Sequence, residues 1–287
     1  MKKLFALLFL VICNNGFTQD KTNVSLYLRK DPHTLLKEIN SKSGNLFHRL
    51  GHHGPAVENQ WFGLRIYFNK KAAIDLYSKS RPGLELESTG WYSTKEQQKS
   101  GWGADYYRVG KSVGLGGIKL WNGKKVVPLN PVSKRSAKVA KGGDGSSTME
   151  MISEGIPCKG QKVNILVRVT VYPDSRMAKV EAISQTGVPV QFVTGINYHK
   201  GVSIRKSENY LATWGIHPED VAVDKVAVGA ALIFNATDFE RQTDDGHQIL
   251  LISKPAQKIQ TWITSANERE PQINTFEKLI QTLNKNE

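Results

Sequence analysis

The chain has 287 residues, of which 39% are hydrophobic and only two are cysteines, and its formal net charge is +13 at pH 7. It is long enough to bury a large hydrophobic core, and two cysteines exclude a fold that depends on several disulfides. The excess of basic residues favours anionic partners.

The first nineteen residues predict a secretory signal peptide. Three residues with two lysines are followed by an apolar run over 4–12 and a polar stretch that ends at Gln19. The run is too short to span a bilayer as a stable helix. Cys13 sits in a sequence that resembles a lipoprotein cleavage box, but Ile12 stands where a small residue is usual. We expect cleavage near Gln19 and one mature domain, residues 20–287, in the periplasm or outside the cell.

Removal of this leader changes the charge and the cysteine count. Lys2 and Lys3 leave, so that +13 becomes +11, and Cys158 remains as the one cysteine, which we expect to be buried and inert. For an exported basic protein, acidic polysaccharide is a better candidate partner than nucleic acid. No later apolar run is long enough for a transmembrane segment. The basic run over 134–141 is interpreted as part of a solvated loop.

Residues 48–68, HRLGHHGPAVENQWFGLRIYF, form the most informative segment. Its second half alternates like a β-strand with one apolar face and one polar, aromatic face. The apolar face is Phe62, Leu64, Ile66 and Phe68, and the other is Trp61, Arg65 and Tyr67. Aromatic rings around a cation suit an acidic sugar, and the upstream histidines suit proton transfer. A half-exposed strand beside a polar loop is the alternative.

Residues 101–112, GWGADYYRVGKS, are rich in glycine and aromatic residues. The last three residues, Gly110, Lys111 and Ser112, match the end of a phosphate-binding loop. Asp105 stands where that motif requires glycine, so a P-loop is excluded. Trp102 is retained as a candidate sugar contact. Trp91 and Tyr92, a few residues earlier, are interpreted as sugar contacts or as core or loop anchors.

The second half of the chain predicts many short strands. Alternation of apolar and polar residues, broken by Gly, Pro, Asn and Asp, predicts strands over 163–171, 178–184, 190–199, 210–215, 226–234, 247–253 and 260–265. Helix is sparse, with short helices predicted over 34–39 and 275–283. We therefore predict an all-β fold, an antiparallel β-sandwich with few short helices.

The predicted strand over 190–199 carries a second group of candidate residues. Its alternation places Asn197 and His199 on the same face, from which both side chains would project into a cleft. The alternative is a strand end whose polar residues enter solvent.

The histidines also raise the question of a metal. His48 and His52 have the four-residue spacing of a zinc-binding helix, but Gly51, Gly54 and Pro55 oppose a helix there. No metal ligand and no cofactor is assigned, and a divalent metal at the histidine cluster stays an open alternative.

Several motifs together resemble a family of secreted bacterial polysaccharide-utilisation proteins long described as a domain of unknown function. They are GPAVEN (54–59), RIYF (65–68), AIDLY (73–77), WGAD (102–105), VGKSVGLGG (109–117), TGI (194–196) and TWG (213–215). This family is similar to a dehydratase that acts on oligosaccharides of ulvan, a sulfated algal polysaccharide with uronic acid. The resemblance implies a β-sandwich enzyme, and it does not assign catalytic residues.

The resemblance and the residues together predict elimination of water from a terminal uronate of an acidic oligosaccharide, which gives a 4,5-unsaturated uronate. The enzyme must neutralise the carboxylate, remove the C5 proton and protonate the leaving oxygen. The predicted catalytic residues are His48, His53, Arg65, Tyr67 and His199, in one cleft. The predicted substrate contacts are Asn59, Trp61, Trp102, Asn197 and Trp214.

Other functions remain open. A polysaccharide lyase uses the same chemistry with a sugar as the leaving group. A glycoside hydrolase needs two carboxylates, for which Glu58 with Asp75 or Asp105 are candidates, and a carbohydrate-binding protein needs only the aromatic residues and Arg65. The sequence does not indicate an oligomeric state.

Overall fold

The computed structural model describes residues 20–219 and 221–285. The predicted signal peptide, residues 1–19, lies outside the described residues. Within them, no helix has the length and apolar character to span a membrane.

Antiparallel strands dominate the described residues, as predicted. In chain order the strands are β1 (Thr22–Ser25), β2 (Glu38–Ser41), β3 (Ala56–Asn59), β4 (Phe62–Ile66), β5 (Ile74–Ser78), β6 (Lys119–Trp121), β7 (Val126–Val127), β8 (Lys134–Lys141), β9 (Ser147–Cys158), β10 (Gln161–Val171), β11 (Ala178–Ser184), β12 (Gln191–Asn197), β13 (Ser203–Lys206), β14 (Tyr210–Ile216), β15 (Ala227–Phe234), β16 (Phe239–Asp244), β17 (Gln248–Ser253) and β18 (Lys258–Asn267). The α-helices are α1 (Leu86–Thr89), α2 (Lys95–Lys99) and α3 (Phe276–Asn284).

The strands form three sheets. The largest has nine strands in the order β13-β14-β15-β18-β11-β10-β9-β8-β2. The others have the orders β1-β3-β4-β5 and β16-β17-β12-β6-β7. One core cluster takes apolar side chains from all three sheets, including Leu64 of β4, Val167 of β10 and Ile196 of β12. The architecture is therefore a sandwich whose second layer is built from two smaller sheets.

The segment 113–116 joins the two smaller sheets. The N–H of Leu115 donates to the carbonyl of Ile74 in β5 at 3.0 Å, and the N–H of Gly116 donates to that of Gly195 in β12 at 2.8 Å. Gly114 has a φ of 75°, and a Cβ there would lie 1.9 Å from the Ile74 oxygen. Only glycine allows this approach, since a side chain would clash with the backbone of β5.

Most of the predicted elements are confirmed. The predicted strands over 163–171 and 178–184 correspond to β10 and β11, and the C-terminal helix begins after the capping residue Thr275, whose hydroxyl accepts the N–H of Lys278. Cys158 is buried and free.

Two elements differ from the prediction. Residues 34–39 form no helix, because Glu38–Ser41 is strand β2 and pairs with β8. The basic run over 134–141 is strand β8, not a loop, since it pairs on both sides, with β2 and β9.

Candidate functional site

Two histidines between β2 and β3 have an unusual backbone. His52 and His53 lie in a short 3-10 turn with φ values of 52° and 63°, in the left-handed region. A Cβ on Gly51 would lie 2.1 Å from the Tyr27 ring, and one on Gly54 would lie 2.0 Å from the Ile66 oxygen, so the turn is pressed between that ring and the end of β4. Left-handed backbone costs a non-glycine residue about 1–2 kcal/mol. Such strain concentrates at functional sites, which makes this turn a candidate.

The His53 ring lies in an aromatic cluster. It stacks on Phe47 at 4.0 Å between ring centres, and Trp91 approaches it at 3.8 Å. Tyr67 lies 5.7 Å away, and the Tyr92 hydroxyl is 2.8 Å from His53 Nε2. We call these five residues the His53 cluster. Because the other four side chains are half-buried, the cluster is accessible at the protein surface although His53 itself is buried.

His53 is neutral in this environment. Burial lowers its pKa to about 3, and the positive charge of Arg65 acts in the same direction. Nδ1 lies 3.4 Å from the Phe47 carbonyl oxygen, which can only accept a hydrogen bond. The tautomer with the proton on Nδ1 satisfies this contact, and its Nε2 then accepts the hydrogen bond from the Tyr92 hydroxyl. A neutral base and a phenolic acid therefore lie side by side.

Arg29 supplies a positive charge at the edge of the His53 cluster. Its guanidinium carbon lies 3.9 Å from the centre of the Trp91 ring, and its charge also lowers the pKa of His53. Arg29 is exposed and forms no ion pair within the described part of the chain. His48 is exposed beside Phe47, with ring centres 5.0 Å apart. An acidic ligand at the cluster would therefore meet an available cation.

Arg65 does not have the predicted exposure. It is 1% exposed, and its guanidinium pairs with Asp105 and with Asp75, whose oxygen lies 3.5 Å from Nε. These carboxylates raise its pKa. The polar face of β4 is covered by later residues of the chain. Leu86 of α1 packs over Gly63, and β5, the strand next to β4, pairs through Ser78 with Ala104. Arg65 is therefore not the cation that the polar face of β4 was expected to present to an acidic sugar, since Asp75 and Asp105 already pair with it.

Tyr67, a member of the His53 cluster, also lies close to the charges of Asp75 and Arg65. Burial raises its pKa, and the adjacent Asp75 acts in the same direction, so its phenol stays protonated. His52, on the other side of the turn, packs edge-on against Tyr27 at 5.5 Å, and burial with the nearby Arg65 lowers its pKa to about 3. His52 is fully buried, whereas Tyr67 is half-buried.

His199 and Asn197 line a cleft that contains no residue of the His53 cluster. The Nδ2 of Asn197 donates to the Arg108 carbonyl at 3.0 Å, and His199 Nε2 lies 3.0 Å from the same oxygen. The His199 ring is 4.6 Å from that of His217. Within the described residues, no hydrogen bond or ring contact joins His199 to the His53 cluster or to Arg65. The described contacts therefore do not bring the five predicted catalytic residues into one cleft, since the cleft that His199 lines includes neither Arg65 nor any residue of the His53 cluster.

The predicted substrate contacts Asn59 and Trp214 have structural positions. Asn59 is fully buried, and its Oδ1 accepts the N–H groups of Trp61 and Phe62 at 3.0 and 3.1 Å, which fixes the turn before β4. Trp214 packs under α3, in a cluster with Ile273 and Leu279. These contacts give Asn59 a structural role in place of the predicted substrate contact, whereas Trp214 is half-buried and its predicted substrate contact stays a prediction.

Trp61 and Trp102 are half-buried. The guanidinium of Arg176 lies 5.3 Å from the Trp61 ring, in a small hollow beside Glu270. Trp102 follows α2, and its N–H donates to the Gln97 carbonyl. Neither tryptophan belongs to the His53 cluster.

The carboxylates considered for glycoside hydrolysis are buried and paired. Glu58 accepts Lys79 at 2.5 Å and the N–H groups of Glu85 and Leu86 at 2.8 and 3.0 Å. Asp75 and Asp105 hold Arg65. Within residues 20–219 and 221–285, no group of three or more His, Cys, Asp or Glu side chains is arranged to hold a metal ion.

Four members of this site, Phe47, Arg29, Trp91 and Tyr92, are not among the predicted catalytic or substrate-binding residues. Phe47 and Arg29 carry no signal in their local sequence, because each reaches His53 through the fold and not through a shared strand face. Tyr92 lies in a segment already noted for its aromatic residues, but only the folded chain places its hydroxyl on His53 Nε2.

Comparison with known proteins identifies a family without an assigned activity. Residues 19–286 match the family model described as Domain of unknown function (DUF4861). No curated protein matches the sequence. Among the solved structures that match is a Klebsiella pneumoniae protein, provisionally assigned as an aldose 1-epimerase, with a TM-score of 0.38 and 8% identity over 92% of this chain and 94% of that chain. A likeness this distant carries no argument about activity.

Proposed function

This chain belongs to the family described as domain of unknown function DUF4861, and from that premise and the geometry at His53 we propose that it is a carbohydrate-active dehydratase. Its substrate is an acidic oligosaccharide of the ulvan type with a terminal uronate. The product is the 4,5-unsaturated uronate, formed by loss of water. We place its action in the periplasm or outside the cell, as the first nineteen residues predict.

One observation carries the proposal: a neutral histidine shares a hydrogen bond with a half-exposed tyrosine, next to an arginine that forms no ion pair within the described residues. His53 Nε2 and the Tyr92 hydroxyl are 2.8 Å apart, and Arg29 lies over the adjacent Trp91. A base, an acid and a carboxylate-binding cation are the three groups that elimination from a uronate requires.

The reaction breaks the C5–H and C4–O bonds and forms the C4=C5 double bond. In the proposed mechanism Arg29 binds the uronate carboxylate and offsets the charge that develops when C5 loses its proton. His53 Nε2 takes that proton, and the Tyr92 hydroxyl donates its own to the leaving C4 oxygen. Protonated His53 then returns the proton to the Tyr92 phenolate across their hydrogen bond, so protons balance and no cofactor is used.

The spacing of the pair favours a particular stereochemistry. A base and an acid 2.8 Å apart lie on the same side of the sugar, so the hydrogen and the oxygen would leave from one face, as a syn elimination.

The bound carboxylate also offsets the positive charges that lower the pKa of His53. His53 therefore becomes a stronger base when an acidic substrate is present.

A polysaccharide lyase would use the same three groups with a sugar as the leaving group, and the choice of water rests on the resemblance to the ulvan oligosaccharide dehydratase. The geometry gives less support to a glycoside hydrolase, since Glu58, Asp75 and Asp105 are buried in ion pairs. It also gives less support to a binding protein, which has no need of an acid and a base in contact.

The test is incubation of the mature protein with uronate-terminated oligosaccharides, both sulfated and unsulfated. Ultraviolet absorbance of the conjugated product and the mass of each species are followed together. New absorbance with loss of one water is the expected result. New absorbance with cleavage means a lyase, cleavage without absorbance means a hydrolase, and no change with any uronate oligomer refutes the proposal. N-terminal sequencing of exported protein checks the predicted start near Asp20.

A further inference from the structure

The His199 cleft is one part of a longer, continuous groove. The cleft around His199 has a volume of about 380 Å³, and a neighbouring cleft has a volume of about 650 Å³. The two share three lining residues, Lys111, Ser112 and Gln248. We call their union the basic groove. None of its lining residues belongs to the His53 cluster.

The groove is lined by four lysines that form no ion pair within the described residues, and by one carboxylate, Asp245, at its His199 end. The lysines are Lys70, Lys71, Lys111 and Lys119. Within the described residues none of them forms an ion pair with a carboxylate. Strand β8 shows the opposite arrangement, because Lys134 pairs with Glu154 at 3.0 Å and Lys138 with Glu38 at 3.2 Å. Positive charge is neutralised on β8 and left free in the groove.

Lys119 is the most unusual of these lysines, since it is 91% buried. Its ammonium group donates to the Lys71 carbonyl oxygen. Burial lowers its pKa to about 8, and the nearby charges of Arg135 and Lys71 act in the same direction. Arg135 is itself buried and donates to carbonyl oxygens, and it has no carboxylate partner in the part of the chain that the structure describes. An anion in the groove would offset this local repulsion.

The His199 end of the groove offers hydrogen-bond acceptors to a ligand. Asn197 is 99% buried, lines the cleft, and has an Oδ1 without a partner among the described residues. A buried acceptor without a partner is costly unless a ligand or water supplies a donor. His199 points Nε2 at the Arg108 carbonyl oxygen, so its Nδ1 is left to accept. Sugar hydroxyls are donors that match both atoms.

We propose that the basic groove binds an anionic saccharide chain, with its acidic groups on the lysines and a hydroxyl on Asn197. The inference does not rest on the elimination reaction, because the groove is separate from His53 and binding is measured without turnover. It assigns the excess positive charge of the chain to a defined surface.

The test compares two double variants that remove the same charge. K70Q/K111Q changes two exposed groove lysines, and K134Q/K138Q changes two lysines of β8. Binding of a dextran sulfate oligosaccharide, an oligogalacturonate and a neutral dextran oligosaccharide is measured by calorimetry at constant ionic strength. K70Q/K111Q should weaken binding of the anionic oligosaccharides about tenfold or more, and K134Q/K138Q less than about twofold.

The probes also separate the chemical groups. Stronger binding of dextran sulfate indicates sulfate as the preferred group, and stronger binding of oligogalacturonate indicates carboxylate. If both double variants lose the same affinity for the anionic oligosaccharides, or if neither loses any, the proposal is overturned. A single-stranded DNA of equal charge that binds as tightly and with the same dependence on Lys70 and Lys111 would also overturn it, because the ligand would then not be a saccharide.

Discussion

The Tyr92 hydroxyl is the group whose removal tests the proposed chemistry most directly. Tyr92→Phe keeps the ring in the His53 cluster and deletes only the acid, so we expect the protein to fold and to bind substrate as before. Loss of a general acid typically lowers the rate by about 10²–10⁴-fold. The measurement is kcat and KM for a uronate-terminated oligosaccharide. Tyr172→Phe, at the end of β10, is the control, and a Tyr92→Phe rate close to normal would remove Tyr92 from the mechanism.

Arg29 is the side chain to which the proposed carboxylate-binding role now belongs. Arg29→Ala should lower kcat/KM about a hundredfold, or about 2–4 kcal/mol, because a charge that forms in the transition state loses its partner. Arg29→Lys should recover only part of this, since lysine lacks the planar guanidinium that pairs with a carboxylate and stacks on Trp91.

The control for Arg29 is Arg49→Ala, which removes an equal charge from a neighbouring exposed position. We expect it to leave kcat/KM within about twofold. If the two alanine variants lose activity equally, the effect of Arg29 is one of general charge and not of a specific contact.

At the scale of elements, β4 shows what a strand pattern can and cannot predict. The alternation of Phe62, Leu64 and Ile66 predicted a strand and its core face, and all three are buried there. The pattern also defined a second face, but period-two alternation does not tell which later segment packs against it. Residues 86–105 cover that face, so Arg65 became an interior residue. The same limit applies to the His53 cluster, whose rings come from three stretches of chain.

This correction gives a prediction for Arg65. Arg65→Ala would leave Asp75 and Asp105 as buried carboxylates without their cation, and breaking a buried pair in this way costs about 3–5 kcal/mol. Denaturation by urea measures the change in the free energy of unfolding. Arg168→Ala, which breaks a partly exposed pair with Glu150, should cost about 1 kcal/mol or less. Equal stability of wild type and Arg65→Ala would contradict the structural role given to Arg65.

At the scale of the whole molecule, the sequence predicted a sandwich of antiparallel strands but not the order of its sheets. Local alternation determines which residues face inward, whereas the pairing of β2 with β8 or of β18 with β15 depends on contacts between distant parts of the chain. The net charge of +13 was likewise known without its distribution. Within the described residues, Lys134 and Lys138 of β8 pair with carboxylates whereas the four lysines of the basic groove form no ion pair, and no run of residues reveals this difference.

The buried histidines make the stability of the whole protein depend on pH. His52, His53 and His217 each have a pKa lowered to about 3, with burial as the main cause. In the unfolded chain histidine titrates near 6.5, so between about pH 6.5 and 3 the unfolded state binds more protons and the folded state loses stability as pH falls. Glu270 acts in the opposite direction, because burial raises its pKa to about 7.

From pH 7 to 5.5 the three histidines should lower the free energy of unfolding by about 4 kcal/mol. Glu270 should raise it by somewhat less than half of that amount, which leaves a net decrease of about 2 kcal/mol. Urea denaturation at both pH values measures this difference. His217→Asn removes one buried imidazole and should reduce the pH-dependent loss by about 1 kcal/mol, whereas His33→Asn, at an exposed position, should leave it unchanged. A free energy of unfolding that is constant or rises from pH 7 to 5.5 would show that these histidines are not held neutral by the fold.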